Sequence, residues 1–406
     1  MTTDAAATST LFSRDFRLVV SGSCLFFVGF GASLPVLPRF VVDELGRGDV
    51  AVGLVFAVYA LAAVVVRPLI GHLGDRSGRR VLVLGGAVLT AVALIGHLAA
   101  TSLAVIVLVR ILAGAGQAAV IVGFATMALD LAPPHRHGEA ASYVMVATQV
   151  GIGLGPLVGE TLLRLGSYAT VWVAAAVGSL VAGALALALP RDRGSAVLVA
   201  RGLFHPAAWR PGIVLGLGVL GFIGFLAFVP LYAAELGVER VALLFLVCSG
   251  TIAVVRMVGA KLPDRLVAVP GASMALALLA VGATTIGLAS AGWMLFVGTL
   301  LLAAGTAVVA PSLVLAAVQG VPHDERARVM ATITMFLDIA SAAGPAVLGV
   351  VASAAGYGPT FLLAGASATV ALVLLRWWLA PRLRTGTRAA STGRFRVIRT
   401  RVTRPG

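Results

Sequence analysis

Lysine occurs once in this chain, at Lys261, and the four charged residue types together make up only 11% of it. A soluble domain carries roughly 25%. That shortage, beside a 60% hydrophobic content, excludes a water-soluble globular protein. Cysteine is almost missing too. Cys24 and Cys248 fall in different apolar runs, which excludes a disulfide framework and leaves them as small apolar packers. There is no G-x-x-x-x-G-K-[ST] run, so nucleotide hydrolysis on a phosphate-binding loop is not a power source. No His/Cys group has metal-site spacing. No enzyme activity, cofactor or metal is therefore expected. Lysine's scarcity against arginine, with much Ala, Val and Gly, points to a GC-rich bacterial genome.

What is abundant is membrane-length apolar sequence. About 20 apolar residues at 1.5 Å rise cross a ~30 Å hydrocarbon core. Runs of that length centre on 18–40, 50–70, 81–99, 102–130, 139–163, 168–189, 212–233, 240–260, 267–289, 292–317, 328–352 and 358–379. The net charge of +14 resembles a nucleic-acid signal until it is mapped. Arg39, Arg47, Arg164 and Arg240 fall on one side of the membrane. Arg67, Arg110 and Arg256 fall in or at the ends of spans, and the remaining 23 basic residues fall on the other side. By the positive-inside rule both termini are cytoplasmic, which an even span count permits. Residues 1–15 are polar and contain Asp4 and Asp15, so no cleavable signal peptide is expected. The expected setting is a bacterial cytoplasmic membrane, with the lipid bilayer as partner, no nucleic acid, and a monomer.

The polar stretch Arg67-Pro-Leu-Ile-Gly-His-Leu-Gly-Asp-Arg-Ser-Gly-Arg-Arg80 sits between two apolar runs and forces an antiparallel hairpin. Its Gly71-x-Leu73-x-Asp75-Arg76-x-Gly78-Arg79-Arg80 spacing resembles the signature between spans 2 and 3 of the major facilitator superfamily. The resemblance implies an all-α polytopic fold of 12 transmembrane helices in two six-helix pseudo-symmetric halves. It also implies that this loop gates the cytoplasmic side, with Gly71, Asp75, Arg76, Gly78, Arg79 and Arg80 as latch and Asp130, at the end of span 4, paired to its arginines. Topology anchoring is the plainer reading of those charges.

Two further runs resemble the same family. Arg110-x-x-x-Gly114-x-Gly116-Gln117 resembles its span-4 signature, with Ala113 where Gln is common. Arg110 and Gln117 are seven residues apart and share a helix face. An arginine at midspan costs about 2.5–3.5 kcal/mol, so it should face a partner or cavity unless it snorkels to the surface. The resemblance implies a part in proton coupling. In span 5, Gly151-x-x-x-Gly155-Pro156-x-x-Gly159 resembles an antiporter signature. Small residues four apart let helices pack closely. Glu160 replaces the final glycine, a departure that adds a carboxylate near the extracellular mouth.

The chain repeats itself. At an offset of 189, Arg67, Leu73, Asp75 and Arg76 map onto Arg256, Leu262, Asp264 and Arg265; Gly155-Pro156 maps onto Gly344-Pro345, and Gln149 onto Asp338. At 190, Arg136 maps onto Arg326. The implied organisation is a cytoplasmic N-terminus (1–15), an N-terminal half (16–189), a central loop (190–211), a C-terminal half (212–380) and a basic tail (381–406), with the substrate site between halves near midplane. Asp338 lies ten residues beyond Arg328, about 15 Å into the membrane. A carboxylate among apolar neighbours there can bind and release a proton. Its mate Gln149 cannot. A packing aspartate, or a contact to a cationic substrate, are the other readings. Phe222, Phe225 and Phe228 form a stripe on span 7 that serves packing or walls an apolar substrate.

The function expected is secondary active transport: export of a small lipophilic or amphiphilic compound in exchange for protons. Asp338 and Arg110 would carry the coupling, and Gln117, Gln149, Phe222 and Phe225 would line the cavity. An importer of a sugar or other metabolite is the first rival, disfavoured by the shortage of Asn, Gln, Trp and Tyr. A non-transporting membrane sensor is the second.

Overall fold

The structure is a computed structural model that describes residues 11–133, 136–189, 204–259, 267–319, 321–322 and 325–379, without the side chains of Gly71, Asp75 and Ala327. Its helices are α1 (Arg14–Arg39), α2 (Asp49–Ser77), α3 (Arg79–Gly96), α4 (Leu103–Leu131), α5 (His137–Leu165), α6 (Tyr168–Leu185), α7 (Trp209–Gly218), α8 (Leu220–Glu235), α9 (Val241–Gly259), α10 (Ala272–Gly287), α11 (Gly292–Val318), α12 (Arg326–Ala355) and α13 (Tyr357–Leu374). α7 and α8 are one span broken at Val219. Counted as spans, 12 helical segments among the described residues are long and apolar enough to cross a membrane. The expected all-α fold in 12 spans is what is found.

Local signals set the ends. Ser13 accepts a hydrogen bond from the Phe16 amide at 3.2 Å and starts α1, and Ser102 does the same for α4 through Val105. Ser167 and Thr170 form a capping box at α6. The hairpin between spans 2 and 3 is tighter than its sequence suggests. The polar stretch from Arg67 onward is not loop: α2 runs through Ser77, and one residue, Gly78 at φ 85°, turns the chain into α3. Glycine adopts that angle without steric cost. Arg67 is thereby placed inside a span.

The two halves pair their helices in the same order. In the first, α1 packs on α5 and α6, α4 on α2 and α3, and α3 on α6. In the second, α7 packs on α12 and α13, α11 on α9 and α10, and α10 on α13. Each pairing is the image of the other under the sequence repeat. Between halves, α2 meets α12, α5 meets α9, and α1 meets α8. Large apolar side chains such as Val65, Leu69 and Val177 remain exposed on the outside of the bundle, as a lipid-facing surface requires. The central loop from 190 to 203, the segment 260–266 that carries Leu262, Asp264 and Arg265, and the tail from 380 lie outside the described residues.

Candidate functional site

Seven residues are nearly two helical turns, so positions at that spacing fall on one stripe. α2 and α12 each present such a stripe to the other half. On α2 it runs Gly53, Ala60, Arg67; on α12 it includes Asp338 and Pro345. A Cβ at Gly53 would collide with the Pro345 carbonyl, and one at Gly349 would lie 2.7 Å from the Asp49 carbonyl. Farther along the seam, the Arg67 guanidinium donates to Asp338 Oδ2 in an ion pair that joins the halves. Arg67 lies about 15 Å from the Ser77 end of α2, and Asp338 about 18 Å from the Arg326 end of α12, which puts the pair near midplane. Asp338 is mostly buried, with 16% of its side chain exposed; Arg67 keeps 47%. Asp338 is therefore not a lone carboxylate: its partner is an arginine of the opposite half.

Call the face where α1 begins and the Gly78 turn lies the hairpin face. Towards the other face the halves are tied by four more polar or close contacts. Tyr357 donates to Asp49 Oδ1 at 2.7 Å. Glu160 Oε2 accepts from the Ala242 amide at 2.9 Å, capping α9 from across the seam, and Arg164 donates to the Glu239 carbonyl at 2.7 Å. A Cβ at Gly153 would lie 2.7 Å from Ser249 Cβ. All these links lie between midplane and that other face, so the bundle is pinned shut there. Glu160, the departure from the span-5 pattern, is one of the pins.

Arg110 and Gln117 come together with Tyr59 of α2. The guanidinium of Arg110 is buried, with 4% of the residue exposed. It stands 4.0 Å from the centroid of the Tyr59 ring, and its Nε donates to the Val55 carbonyl at 3.4 Å. The Tyr59 hydroxyl donates to Gln117 Oε1. A cavity of about 20 Å³ adjoins them. Tyr59 and Arg67 are eight residues apart on α2, about 12 Å, so this pocket and the Asp338 pair are separate places.

Two arginines of the hairpin have partners within their own half. Arg79 forms an ion pair with Asp130 at 2.6 Å. Arg80 donates to the Leu187 carbonyl at 2.6 Å and to Leu189 at 3.3 Å, closing the end of the span that α6 begins. Arg76 is exposed, Gly71 and Asp75 sit on helical backbone, and the Asp75 side chain lies outside the description. Gly151, Gly155 and Gly159 all face α1. Added Cβ atoms would lie 2.5 Å from the Cys24 and Val28 carbonyls at the first two, and would collide with the Ala32 carbonyl at the third. With the buried Pro156 beside them they serve the α1–α5 contact. Gln149 lies one turn before Gly153 on α5 and so on the α9 seam. Phe225 is fully buried with its ring 5.2 Å from Phe245, and Phe222 is partly buried against the same core. Phe225 thus packs inside the second half and walls no open space in this conformation. Sequence reading named Arg67 only as a charge of the polar stretch and the repeat, and did not name Tyr59 as a site residue. The signal for Arg67 was its spacing of two heptads from Gly53; Tyr59 gave none.

A sequence profile described as the Major Facilitator Superfamily matches residues 19–291 and 269–404. The chain belongs to this superfamily. Among curated relatives it is 26% identical over 370 residues to the MFS-type transporter YhhS of Escherichia coli (strain K12), covering 88% of this chain and 90% of the relative. Its fold is similar to the human organic anion transporter MFSD10 (TETRAN), with TM-score 0.65, 21% identity, and 89% and 99% of the two chains covered. It is also similar to the xylose transporter XylE from E. coli, with TM-score 0.70, 16% identity, and 92% and 98% covered. At these identities the two structures speak for the fold alone. The protein is a multi-pass membrane transporter of this superfamily.

Proposed function

We propose that this transporter exports a small lipophilic or amphiphilic compound across the bacterial cytoplasmic membrane in exchange for protons, by alternating access, with both termini in the cytoplasm. One observation carries the reading: a carboxylate near midplane, Asp338, is held by an arginine of the other half, Arg67. Protonation removes the charge that makes this bond strong. It therefore acts on the seam between halves, where alternating access has its moving surface.

On this reading the hairpin face is cytoplasmic, and the pins at Asp49–Tyr357 and Glu160–Ala242 close the extracellular side. The conformation faces inward, with Asp338 unprotonated and paired. Substrate enters from the cytoplasm or inner leaflet. The pins part as the halves rock, the cavity opens outward, and substrate leaves. A proton from the outside then neutralises Asp338 and weakens its hold on Arg67. Return to the inward form delivers the proton to the cytoplasm and restores the pair. The hairpin, braced by Arg79–Asp130, presents its latch to the second half when the cytoplasmic side closes. Gln117 belongs to the substrate side of this division of labour; Arg110, to which the family resemblance gives a part in coupling, stands beside it in the first half, about 12 Å along α2 from the Asp338 pair.

The test is uptake into inverted membrane vesicles under an imposed ΔpH, screened with lipophilic dyes. The wild type should accumulate dye and alkalinise its lumen in step with it. Asp338→Asn should lose proton-driven accumulation while keeping downhill exchange. Undiminished ΔpH-driven uptake in that variant would remove Asp338 from the mechanism.

A further inference from the structure

The Arg110 pocket holds a buried cation with no acid beside it. Its walls include Ser33, Tyr59, Thr90, Arg110, Gln117 and Ser179, and no Asp or Glu. Among the described residues Arg110 has one hydrogen bond, from Nε to the Val55 carbonyl, and its terminal nitrogens have none. The nearest compensation is the Tyr59 ring beneath the guanidinium, with Phe56 at 5.9 Å. A buried guanidinium left in that state is costly, and such groups are retained where a counter-charge arrives.

The rest of the pocket has the polarity of a receptor for that counter-charge. Tyr59 spends its proton on Gln117 Oε1, which leaves the Gln117 amide nitrogen, with its two N–H groups, unbonded. The Thr90 hydroxyl is buried with no partner. Ser33 donates to the Phe30 carbonyl of its own helix at 2.6 Å, and Ser179 donates across to the Ala87 carbonyl of α3 at 3.0 Å. The donors left open are the Arg110 terminal N–H groups, the Gln117 amide and the Thr90 hydroxyl, while the Ser33, Ser179 and Tyr59 oxygens, having donated, keep acceptor lone pairs. Open donors around a buried positive charge suit an acceptor-only anionic group. The cavity of about 20 Å³ sets the size. A water needs about 10–15 Å³ measured this way, so the space takes one small group and no more. A carboxylate end fits that description, and so does a halide ion. Phe30 and Tyr59, stacked at 5.9 Å and only partly buried, form one wall and offer an apolar surface to whatever carries the anionic end.

We propose that this pocket of the first half is a subsite for a small monovalent anionic group, and that it receives the carboxylate end of the exported amphiphile, so that the substrate class is amphiphilic organic acids. The assignment of a substrate rests on the export reading above; the anion subsite itself does not.

The test measures binding without any proton gradient. Purified full-length protein in detergent, at constant ionic strength in sodium sulfate, is titrated with sodium benzoate, with benzamide as the uncharged shape control, and with sodium chloride. Binding is read by calorimetry and by the thermal unfolding midpoint. Benzoate should bind saturably and benzamide should not, and chloride should compete. Thr90→Val, which keeps the fold and the charge, should weaken benzoate roughly tenfold, the effect of removing a donor to a charged group. Arg110→Lys should weaken it further by losing the planar fork. Chloride binding without benzoate binding would overturn the substrate assignment and make the pocket a resident inorganic-anion site. Equal binding of benzoate and benzamide, or benzoate binding indifferent to both variants, would overturn the subsite altogether. Benzoate binding that follows the prediction alongside unaltered ΔpH coupling in Asp338→Asn would sink the coupling reading and leave this one standing.

Discussion

Asp338 and Arg67 show how a single residue's meaning depends on its partner. Asp338 was legible as a functional candidate because a carboxylate inside an apolar span is expensive. Its partner was not legible, since Arg67 lies 271 positions away in the other half. A double-mutant cycle on Arg67→Gln and Asp338→Asn should give a coupling energy of about 1–2 kcal/mol in thermal unfolding. That lies between exposed pairs at 0–1 and buried ones at 3–5, because Arg67 is half exposed. In proton-driven transport the double should be no better than Asp338→Asn, since both lack the carboxylate that takes the proton. Additive effects would mean that the pair carries no energy. Arg110 tells the converse story: its burial was expected, whereas the ring of Tyr59 beneath it and the lack of any acid could be seen only in the folded chain.

Among elements, the four seam helices share one design. The stripes Gly53–Arg67 on α2 and Asp338–Pro345 on α12 have mates on α9 and α5. Ala242, Ser249 and Arg256 fall on one face of α9, and two of them touch α5. Arg256 is on that face, seven residues past Ser249, with its Nε buried and no hydrogen bond. The repeat gives it Gln149 where Arg67 has Asp338. At this level one seam pairs its arginine with a carboxylate, and the other sets its arginine opposite an amide. Gln149→Asp should supply the missing carboxylate and add a second tie between halves. We expect transport to fall at least fivefold while the unfolding midpoint rises by a few degrees; unchanged transport would show that the α5–α9 seam does not move. The glycines of α5 are a separate matter. They were read as a close-packing run resembling an antiporter signature, and their contacts place them against α1 within one half. Gly155→Leu should cost about 1–3 kcal/mol by overpacking, seen as loss of folded protein in fluorescence-detected gel filtration. Full yield of folded protein would argue that α1 and α5 can part.

For the molecule as a whole, the duplication supplies the frame and the differences between copies supply the function. Both halves pair their helices in one order, yet in sequence Gly78, Arg79 and Arg80 of the first have no counterpart in the second, and the midplane carboxylate Asp338 of the second answers to Gln149 in the first. If an organic anion leaves while a proton enters, each cycle moves two charges in the same direction. A membrane potential of 100 mV then contributes about 4.6 kcal/mol, twice the value for one charge. Collapsing the potential with valinomycin and potassium should slow benzoate uptake into inverted vesicles even when ΔpH is clamped. Uptake blind to the potential would mean an electroneutral exchange. The orientation has its own check. Green fluorescent protein fused to either terminus should fluoresce, and alkaline phosphatase fused there should stay inactive; the opposite pattern would invert the topology.

The twelve spans, the hairpin between the second and third, the repeat and the family were all written in the sequence. Each rests on local quantities: run length against bilayer thickness, glycine spacing, and the recurrence of residues at one offset. The hairpin's length was misjudged for a local reason as well, since polar residues at a membrane surface can stay helical where water meets them, and α2 continues to Ser77. The Arg79–Asp130 pair was foreshadowed by the resemblance, and the tertiary structure alone decided the polar partners between halves. It gave Asp338 to Arg67, made Glu160 a cap on a helix of the other half, and left Arg110 facing donors. Those outcomes depend on how two half-bundles rotate against each other, and a change of one helical face would reassign every partner.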